Sequence, residues 1–372
     1  MITAIPVLAF VASALGNPLP APSLGVRDSC TISSLATVSA AESCSTITID
    51  AFTVPAGEKL VINAADKATI NMNGDITFEA DTTFKTSGPL FTLSGNSITF
   101  NGNGFTIDGQ GAKYWDGDGT SSSAKQTKPH PMIKLSCSGT VENVKVLNSP
   151  AQVFSMGNDA ALVVSNINID NSAGNAANSL SGGKPAAHNT DGFDVSTDNV
   201  TIQGSTIINQ DDCLAINQGS NIIFQNNQCT GGHGISIGSV ASGSTVSNVH
   251  ITGNTITDNV QALRIKTDAS ATSGSVSGVT YSGNTAKGCT DYGVIIDQSY
   301  PATLGTAGAG VKISDITFTG TNTIAVASSA KGEVEVNCAS GGCTGTWDWS
   351  GLKVSGGPSG SIVNAQVSDF TL

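Results

Sequence analysis

Apolar and polar residues alternate in short runs along most of the chain. Six versions of one sequence motif, in which a turn residue precedes a run with apolar residues at its first and third positions, begin at Asn166, Asn199, Asn221, Asn248, Gly278 and Asp315. Their starts are 33, 22, 27, 30 and 37 residues apart. Alternation of this kind predicts half-buried strands. Repeats of this length, each with several short strands and growing by inserted loops, predict a solenoid.

The segments between the strands narrow the choice of solenoid. None has the pattern of a crossover helix, which argues against βαβ units. The blades of a β-propeller, the rival repeat fold, would have ~40 residues and would be more regular and antiparallel. The pattern therefore predicts an all-β chain folded as a right-handed parallel β-helix. We interpret the asparagines that begin the repeats as stacked turn residues whose side chains hydrogen-bond the backbone.

The segment from Cys30 to Cys44 departs from the strand pattern. Its spacing suits a helix that carries Ile32, Leu35 and Val38 on one face. A disulfide between the two cysteines would hold that helix in place. We therefore predict a short N-terminal capping helix that covers the open apolar end of the solenoid.

The pattern of the first 27 residues is typical of a targeting segment. The stretch from Ile2 to Leu15 is apolar and uncharged, and a Pro-rich stretch follows at 16–22. It is shorter than the ~20 residues of a membrane span and suits the apolar region of a signal peptide, although the usual basic residues are missing. Arg27 before Asp28 could end a short pro-segment; an ordinary linker is the alternative. We predict a signal peptide and pro-segment at 1–27, one β-helix domain at 28–372, and secretion to the extracellular space.

Composition agrees with a secreted all-β protein that has many turns. Only 12% of the residues are charged, and 43 are glycine. The net charge of −12 argues against nucleic acid or an anionic membrane as a partner. It does not exclude a polyanionic substrate, because cations cluster locally. We expect a monomer with no cofactor and no bound metal.

Eight cysteines in a secreted chain predict disulfides. Three pairs are close in sequence: Cys30 with Cys44, Cys213 with Cys229, and Cys338 with Cys343. Cys137 and Cys289 are far apart and are expected as packed thiols, with a bridge between them as the alternative. The chain has one glycosylation sequon, Asn199-Val200-Thr201.

Candidate chemistry is concentrated between residues 189 and 266. Aligning the apolar runs puts Asp191, Asp212 and His233 at one position of successive strands, ~4.8 Å apart, and brings Arg264 and Lys266 close to them. Taken singly, each has an ordinary reading as a turn residue or a solvated face. Together, carboxylates that repel one another beside an imidazole and two cations indicate a functional site. The four clusters are Asn189-Thr190-Asp191, Gln210-Asp211-Asp212-Cys213, Gly232-His233-Gly234 and Arg264-Ile265-Lys266.

With these clusters in order, the chain resembles the fungal polygalacturonases, glycoside hydrolases that cut the homogalacturonan backbone of pectin. The resemblance covers nearly all of the chain after the targeting segment. Further matching segments are Asn103-Gly104, Ile107-Asp108-Gly109-Gln110-Gly111, Tyr114-Trp115 and the run from Tyr292 to Tyr300. The chain departs from the family pattern at Asn209, where glycine is usual, at Asp297 and Ser299, and in lacking the usual C-terminal cysteine pair, which suggests a differently secured end.

The resemblance implies catalytic roles for four residues. Asp211 would be the general acid on the glycosidic oxygen, and His233 would tune it. Asp191 and Asp212 would hold and activate the attacking water. The residues alone do not distinguish Asp211 from Asp212 as the acid. The ~4.8 Å strand spacing suggests a retaining enzyme by the distance between carboxylates, whereas the family implies inversion, which we expect here.

The resemblance also implies a site for an acidic sugar. Arg264 and Lys266 would bind the galacturonate carboxylate, Tyr300 would contact the sugar, and Asn189 completes the expected substrate-binding set. We therefore expect endo-acting hydrolysis of α-1,4 bonds in polygalacturonate or pectin.

Three other functions stay open. Exo action is one of them. A pectate lyase on the same fold would use the aspartates to hold Ca²⁺ and Arg264 as a base. A carbohydrate-binding β-helix without catalysis is the third, although it would more often carry rows of aromatic side chains, and this chain has few.

Overall fold

The computed structural model describes Met1 and residues 30–83 and 88–372. The signal peptide and pro-segment predicted at 1–27 lie outside the described residues, apart from Met1. The rest of the described chain folds as a right-handed parallel β-helix, as the repeat pattern predicts. Among the described residues, no helix has both the length and the apolar character needed to cross a bilayer.

The strands are short and follow one another throughout the described ranges. In chain order the first seventeen are β1 Thr31–Ile32, β2 Thr46–Ile49, β3 Phe52–Val54, β4 Leu60–Asn63, β5 Thr69–Met72, β6 Ile76–Phe78, β7 Phe91–Asn101, β8 Thr106–Asp108, β9 Ile133–Glu142, β10 Lys145–Leu147, β11 Phe154–Met156, β12 Leu162–Ser165, β13 Asn168–Asp170, β14 Phe193–Ser196, β15 Val200–Gln203, β16 Thr206–Ile208 and β17 Asp212–Gln225. The others are β18 Gln228–Thr230, β19 Gly234–Val240, β20 Thr245–Thr252, β21 Thr255–Thr257, β22 Gln261–Asp268, β23 Ser275–Ser282, β24 Thr285–Cys289, β25 Tyr292–Tyr300, β26 Lys312–Thr319, β27 Asn322–Val326, β28 Gly332–Asn337, β29 Cys343–Thr344, β30 Thr346–Asp348, β31 Leu352–Ser355, β32 Gly360–Val363 and β33 Gln366–Ser368.

The strands of successive coils stack into parallel sheets. Within the described ranges they form one sheet of twenty strands, a second of eleven and a small third of two. The second sheet shows how the core is built, because its central residues form one apolar column inside the coil. That column includes Ile107, Val146, Ile169, Ile207, Cys229 and Ile256. Each strand is three to five residues long and buries alternate side chains, as the sequence alternation predicts.

The N-terminal cap is shorter than the sequence pattern suggests. It consists of a 3₁₀ turn at Leu35–Thr37 and a single α-helical turn, α1, at Val38–Ala41. Ile32, which we expected on the helical face, instead lies in β1 and pairs with Ile49 of β2. The apolar end of the solenoid is therefore closed partly by an added strand, which continues the parallel sheet.

The asparagines that begin the repeats adopt left-handed backbone conformations. The φ values of Asn199, Asn221 and Asn248 are 59°, 57° and 52°, which asparagine and glycine tolerate best. Their side chains bond to one another rather than to the backbone: Asn221 Nδ2 donates to Asn199 Oδ1 at 2.9 Å, and Asn248 Nδ2 donates to Asn221 Oδ1 at 2.7 Å. The turn interpretation holds, but the stacked side chains form their own exposed ladder.

A second asparagine ladder is fully buried. Backbone N–H groups and side-chain amides of one coil donate to the side-chain oxygen of the next, at 2.9–3.2 Å. Its members are Ser205, Asn227, Asn254, Asn284 and Asn322. Because every donor in the series has a partner, polar groups enter the interior without an unpaired amide.

The C-terminal end is closed by aromatic side chains. Trp349 packs edge-on against Phe318 and Phe370, with ring centroids 5.2 and 5.6 Å apart, and stacks on Trp347 at 6.2 Å. The Nε1–H group of Trp349 donates to the carbonyl of Ile316 at 3.0 Å. These contacts secure the end that lacks the family's usual cysteine pair.

The cysteines divide into three bridges and two thiols. The bridges are Cys30–Cys44, Cys213–Cys229 and Cys338–Cys343. Cys137 and Cys289 are free and buried, and burial raises the pKa of each thiol to about 12. A thiol that stays protonated at neutral pH is unreactive, which agrees with a packing role.

Candidate active site

A polar cleft lies over the outward faces of neighbouring strands in the large sheet. It has a volume of about 580 Å³. All eight of the predicted catalytic and substrate-binding residues line it. The lining residues are Gln152, His188, Asn189, Asp191, Asp194, Asp211, Asp212, Ala215, Asn217, His233, Gly238, Ser239, Arg264, Lys266 and Tyr300.

The register of the strands differs from the simple alignment at one step. Phe193 pairs with Leu214, so Asp191 and Asp212 lie on adjacent coils at corresponding positions, as expected. A bulge at Cys213 then shifts the next pairing, and Asp212 lies opposite Gly234 rather than opposite His233. The prediction that His233 shares the position of Asp212 is wrong. An inserted residue bends the strand locally, and this brings His233 to Asp211.

Asp211 is the most heavily hydrogen-bonded carboxylate of the cleft. Its Oδ1 accepts from His233 Nδ1 at 3.0 Å and from the backbone N–H of Asp212 at 2.8 Å, while Oδ2 accepts from Asn189 Nδ2 at 3.2 Å. Burial pushes the pKa of Asp211 upward, but the bond and charge of His233, with the charge of Lys266, outweigh burial and lower it to about 2. Asp211 in turn raises the pKa of His233 against the effect of burial.

Asp212 is almost completely buried and forms an ion pair. Its Oδ2 accepts from Lys266 Nζ at 2.7 Å, and its Oδ1 accepts from Ser236 Oγ at 2.6 Å. Burial disfavours the charged ammonium, yet Asp212 more than offsets it and raises the pKa of Lys266. Lys266 is therefore already engaged by Asp212, and its remaining N–H groups are the ones that can reach a ligand.

Two further carboxyl groups face the same cleft with raised pKa values. Burial, followed by the charge of Asp211, raises the pKa of Asp191 well above its ordinary value, and its Oδ1 has no hydrogen-bond partner. Burial, followed by the charge of Asp212, raises the pKa of Asp194 to about 7. Sequence reasoning missed Asp194, although alternation already gave the signal. Asp194 occupies the outward position between Phe193 and Val195, in register with Arg264 three coils later.

The residues expected to bind an acidic sugar lie at one side of the carboxylates. The buried Nε of Arg264 has no hydrogen-bond partner, which is uncommon for a guanidinium. The Nζ of Lys266 lies 5.5 Å from the ring centroid of Tyr300. The unpaired Nε of Arg264 and the remaining N–H groups of Lys266 are cationic donors that suit a carboxylate ligand.

The departures from the family pattern have structural roles around this cleft. Asn209 Nδ2 donates to the carbonyls of Thr190, Asp211 and Asp212 at 2.9–3.0 Å, which joins the two turns that carry the candidate carboxylates. Asp297 accepts from the backbone and hydroxyl of Ser299, which precedes Tyr300. These substitutions therefore support site residues rather than removing any.

Three groups in the cleft could act as metal ligands. The donor atoms of Asp211, Asp212 and His233 lie within 4.8 Å of one another. However, Ca²⁺ needs six to eight oxygen ligands, and a cation at this position would compete with the ammonium of Lys266 for Asp212. The arrangement suits proton transfer better than metal binding.

Comparison with known proteins identifies the family. The profile of glycosyl hydrolases family 28 matches residues 44–370. The chain belongs to this family. It is 40% identical to endopolygalacturonase B of Emericella nidulans over 365 residues, covering 94% of this chain and 95% of the relative, and 43% identical to a probable endopolygalacturonase A of Aspergillus fumigatus over 363 residues, covering 93% of each.

A solved structure extends the similarity of this family 28 chain to three dimensions. Endopolygalacturonase I from Stereum purpureum, in a complex with two galacturonates, superposes with a TM-score of 0.85 at 49% identity, covering 91% of this chain and 98% of the other. The similarity therefore extends over nearly the full length of both proteins and includes the strands that carry the cleft.

Proposed function

We propose that this family 28 glycoside hydrolase is an endo-acting polygalacturonase. The observation that carries the proposal is the convergence of four carboxyl groups, two imidazoles, one guanidinium and one ammonium in a single cleft. The names of its relatives, endopolygalacturonases at about 40% identity over nearly all of the chain, support the reaction and the substrate.

In the proposed reaction, Asp211 donates a proton to the glycosidic oxygen as the bond to the anomeric carbon breaks. The low pKa of Asp211 means that the proton of the Asp211–His233 pair lies on His233 before the substrate binds. Exclusion of water by the sugar favours the neutral pair over the ion pair, because separated charges lose solvation. His233 would thereby return the proton to Asp211 at the moment when an acid is needed.

Asp191 and Asp212 hold the attacking water in this mechanism. Asp212, in its ion pair with Lys266, takes the proton from the water, and Asp191 accepts or donates the second hydrogen bond that orients it. Attack from the side opposite to the leaving oxygen inverts the anomeric carbon. The anomeric configuration of the first product, followed by NMR before mutarotation, tests this step: an initially retained configuration would contradict it.

The substrate class follows from the cations. Arg264, with an unpaired Nε, and Lys266 can together bind a galacturonate carboxylate, and Tyr300 and Asn189 line the same cleft. We expect Arg264→Ala to lower kcat/KM on polygalacturonate by about tenfold to a hundredfold, as for the loss of a charge-assisted hydrogen bond. A fully methyl-esterified pectin has no charged carboxylate, so the loss should be smaller there. Equal proportional losses would contradict this assignment.

Product size over time on polygalacturonate tests the whole proposal. Endo action gives a broad range of intermediate oligomers early in the reaction, whereas exo action releases only the smallest products. Unsaturated products that no longer form when EDTA is added would indicate a calcium-dependent lyase. If no new reducing ends form, the protein is a binding module.

Several cellular properties are part of the proposal. We infer secretion, after removal of residues 1–27, from the apolar leader and from the disulfides, and we propose that the secreted protein is a monomer. The exposed Asn199 of the sequon is available for glycosylation, since within the described ranges its side chain accepts a single bond, from Asn221. Mass spectrometry of the secreted protein checks the N-terminus and the glycan, and sedimentation checks the monomer.

A further inference from the structure

The loop at 116–128 packs beside the cleft and is built around a buried ion pair. Lys128 Nζ donates to Asp116 Oδ1 at 2.7 Å, and both side chains are almost completely buried. The same carboxylate accepts the backbone N–H groups of Asp118, Lys125 and Gln126 at 2.7–3.1 Å. One carboxylate thus organises both ends of the loop.

A neighbouring segment, 172–188, holds this loop from the other side. Asn178 Nδ2 donates to the carbonyl of Trp115 at 2.9 Å, and the N–H of Gly117 donates to the carbonyl of Ala186 at 2.8 Å. Lys125 Nζ also donates to the carbonyl of Leu180. A buried ion pair is weak support for stability, since apolar residues often serve as well. Its contribution here is a defined loop geometry.

One residue within the loop, Thr120, contacts the candidate catalytic residues directly. The backbone N–H of Thr120 donates to Asn189 Oδ1 at 3.1 Å, and the Thr120 hydroxyl lies 3.4 Å from the same oxygen. With its oxygen held in this way, the Asn189 amide directs Nδ2 toward Asp211 Oδ2, at 3.2 Å. A rotated amide would present its oxygen to the carboxylate, which would be repulsive.

We propose that the 116–128 loop is a positioning element that fixes the orientation of the Asn189 amide and thereby the hydrogen bond donated to Asp211. Asp116 and Lys128 act through the loop, and their effect reaches the carboxylate through Asn189, which accepts from Thr120 and donates to Asp211. The inference rests on the proposed role of Asp211 for its effect on rate, but its geometry is independent of that role.

Gly119 provides a sharp probe of this coupling. Its φ is +58°, and a β-carbon there would collide with Oδ1 of Asn189 and would lie 3.0 Å from Cδ2 of His188, so the Asn189 amide is the group that must move most. Gly182, in the neighbouring segment, is a matched control: its φ is +62°, and a β-carbon there would meet no atom within 4 Å. Gly119→Ala and Gly182→Ala therefore impose the same backbone strain, and only the first displaces the amide.

We expect Gly119→Ala to lower kcat by about tenfold to a hundredfold, the loss of one hydrogen bond to a charged group, with a smaller change in KM. Gly182→Ala should leave kcat unchanged. In an Asn189→Ala background, Gly119→Ala should have no further effect, because the amide through which it acts is gone. A wild-type kcat for Gly119→Ala would overturn the proposal. So would an equal proportional decrease in kcat in the wild-type and Asn189→Ala backgrounds.

A second readout separates this inference from the proposed function. A hydrogen bond to a carboxylate favours its ionised form, so displacing the amide should shift the NMR titration of His233, the partner of Asp211. The other charged groups near Asp211 and His233, which are Asp191, Asp194, Asp212, Arg264 and Lys266, are unchanged in these variants. A shifted titration in Gly119→Ala with an active Asp211→Asn variant would refute Asp211 as the acid but support the loop. An unshifted titration would refute the loop's role.

The ion pair is tested with the double substitution Asp116→Asn/Lys128→Met, which removes both charges. We expect the same direction of change in kcat and in the His233 titration as for Gly119→Ala, measured under conditions where the variant is fully folded. Unchanged kcat and titration in a folded variant would show that the pair only stabilises the loop and would overturn its positioning role.

Discussion

Polar side chains stack on successive coils both in the buried asparagine ladder and in the cleft, with opposite outcomes. In the buried ladder, Asn227, Asn254 and Asn284 pass hydrogen bonds from coil to coil, and each amide finds a donor and an acceptor. In the cleft, Asp191 and Asp212 occupy corresponding positions, but carboxylates accept and cannot donate. The cleft therefore needs cations from other strands, and it still leaves Asp191 Oδ1 without a partner.

The two regions differ because the stacked groups have different hydrogen-bonding chemistry, although both are built on the same parallel coils. Neutral amides repeat well along a parallel stack, because each residue can bond to a copy of itself. Repeated carboxylates raise one another's pKa values and store unfavourable free energy that a neighbouring cation, a ligand or a proton must relieve. The ladder should thus control stability, and the cleft should control activity.

The largest expected effect is on activity. Asp211→Asn should reduce kcat by ~10²–10⁴, as for loss of a general acid, and should lower the free energy of unfolding at neutral pH by about 1–3 kcal/mol, because the lowered pKa of Asp211 stabilises the fold and asparagine carries no charge. Steady-state kinetics on polygalacturonate and calorimetry measure both quantities. Asp315→Asn, an exposed residue of the repeat-start column with φ of 55°, is the matched control and should behave as wild type. A kcat for Asp211→Asn near that of the control would remove Asp211 from the mechanism.

The next effect is on stability. Asn254→Ala should lower the free energy of unfolding by about 2–5 kcal/mol, since it leaves the buried N–H of Asn227 without its acceptor and removes the bonds donated to the carbonyl of Phe224 and to Asn284 Oδ1. The ladder residues do not line the cleft, so kcat per folded molecule should be unchanged. Urea unfolding and active-site-normalised kinetics test this. A large drop in kcat with intact stability would contradict the division between the two regions.

Asp194→Asn should stabilise the protein in a pH-dependent way. The pKa of Asp194 is raised to about 7 in the fold, against ~3.9 in the unfolded chain. The folded state therefore binds more protons between pH 4 and 7, and stability falls as pH rises through this window. Asn carries no charge, so we expect a gain of about 1–4 kcal/mol at pH 8.

The same comparison at pH 4 is the control for Asp194. There the carboxyl is already protonated in the folded state, and the stability difference between variant and wild type should nearly vanish. Urea unfolding at both pH values measures it. An equal gain at pH 4 and pH 8 would mean that packing, rather than charge, explains the change.

The smallest effect concerns the exposed asparagine column. Asn221→Gly removes two side-chain hydrogen bonds at the surface, but glycine adopts the φ of 57° without strain. We expect a change in the free energy of unfolding within about 0.5 kcal/mol. Gly278 already occupies the same position in a later coil, with φ of +64°. A loss as large as that of Asn254→Ala would show that burial does not distinguish the two ladders.

The periodic parts of this protein could be read from its sequence. Alternating runs predicted the strands, repeat lengths predicted the parallel β-helix, and the spacing of the cysteines indicated the three bridges that the structure contains. These inferences succeed because period, burial and turn chemistry are local properties that repeat every coil. The same local alternation identified the outward residues Arg264 and Lys266.

Other features depended on contacts between distant segments. The bulge at Cys213 places His233 beside Asp211. Alignment of the apolar runs could not predict this bulge, because an inserted residue changes the register without changing the apolar pattern. The contact from Thr120 to Asn189 joins positions 69 residues apart, and the ion pair of Lys266 with Asp212 joins positions 54 apart. The sequence determined which residues face outward, whereas only the tertiary structure decided which of them meet, because hydrogen bonds and ion pairs depend on register to within a single residue.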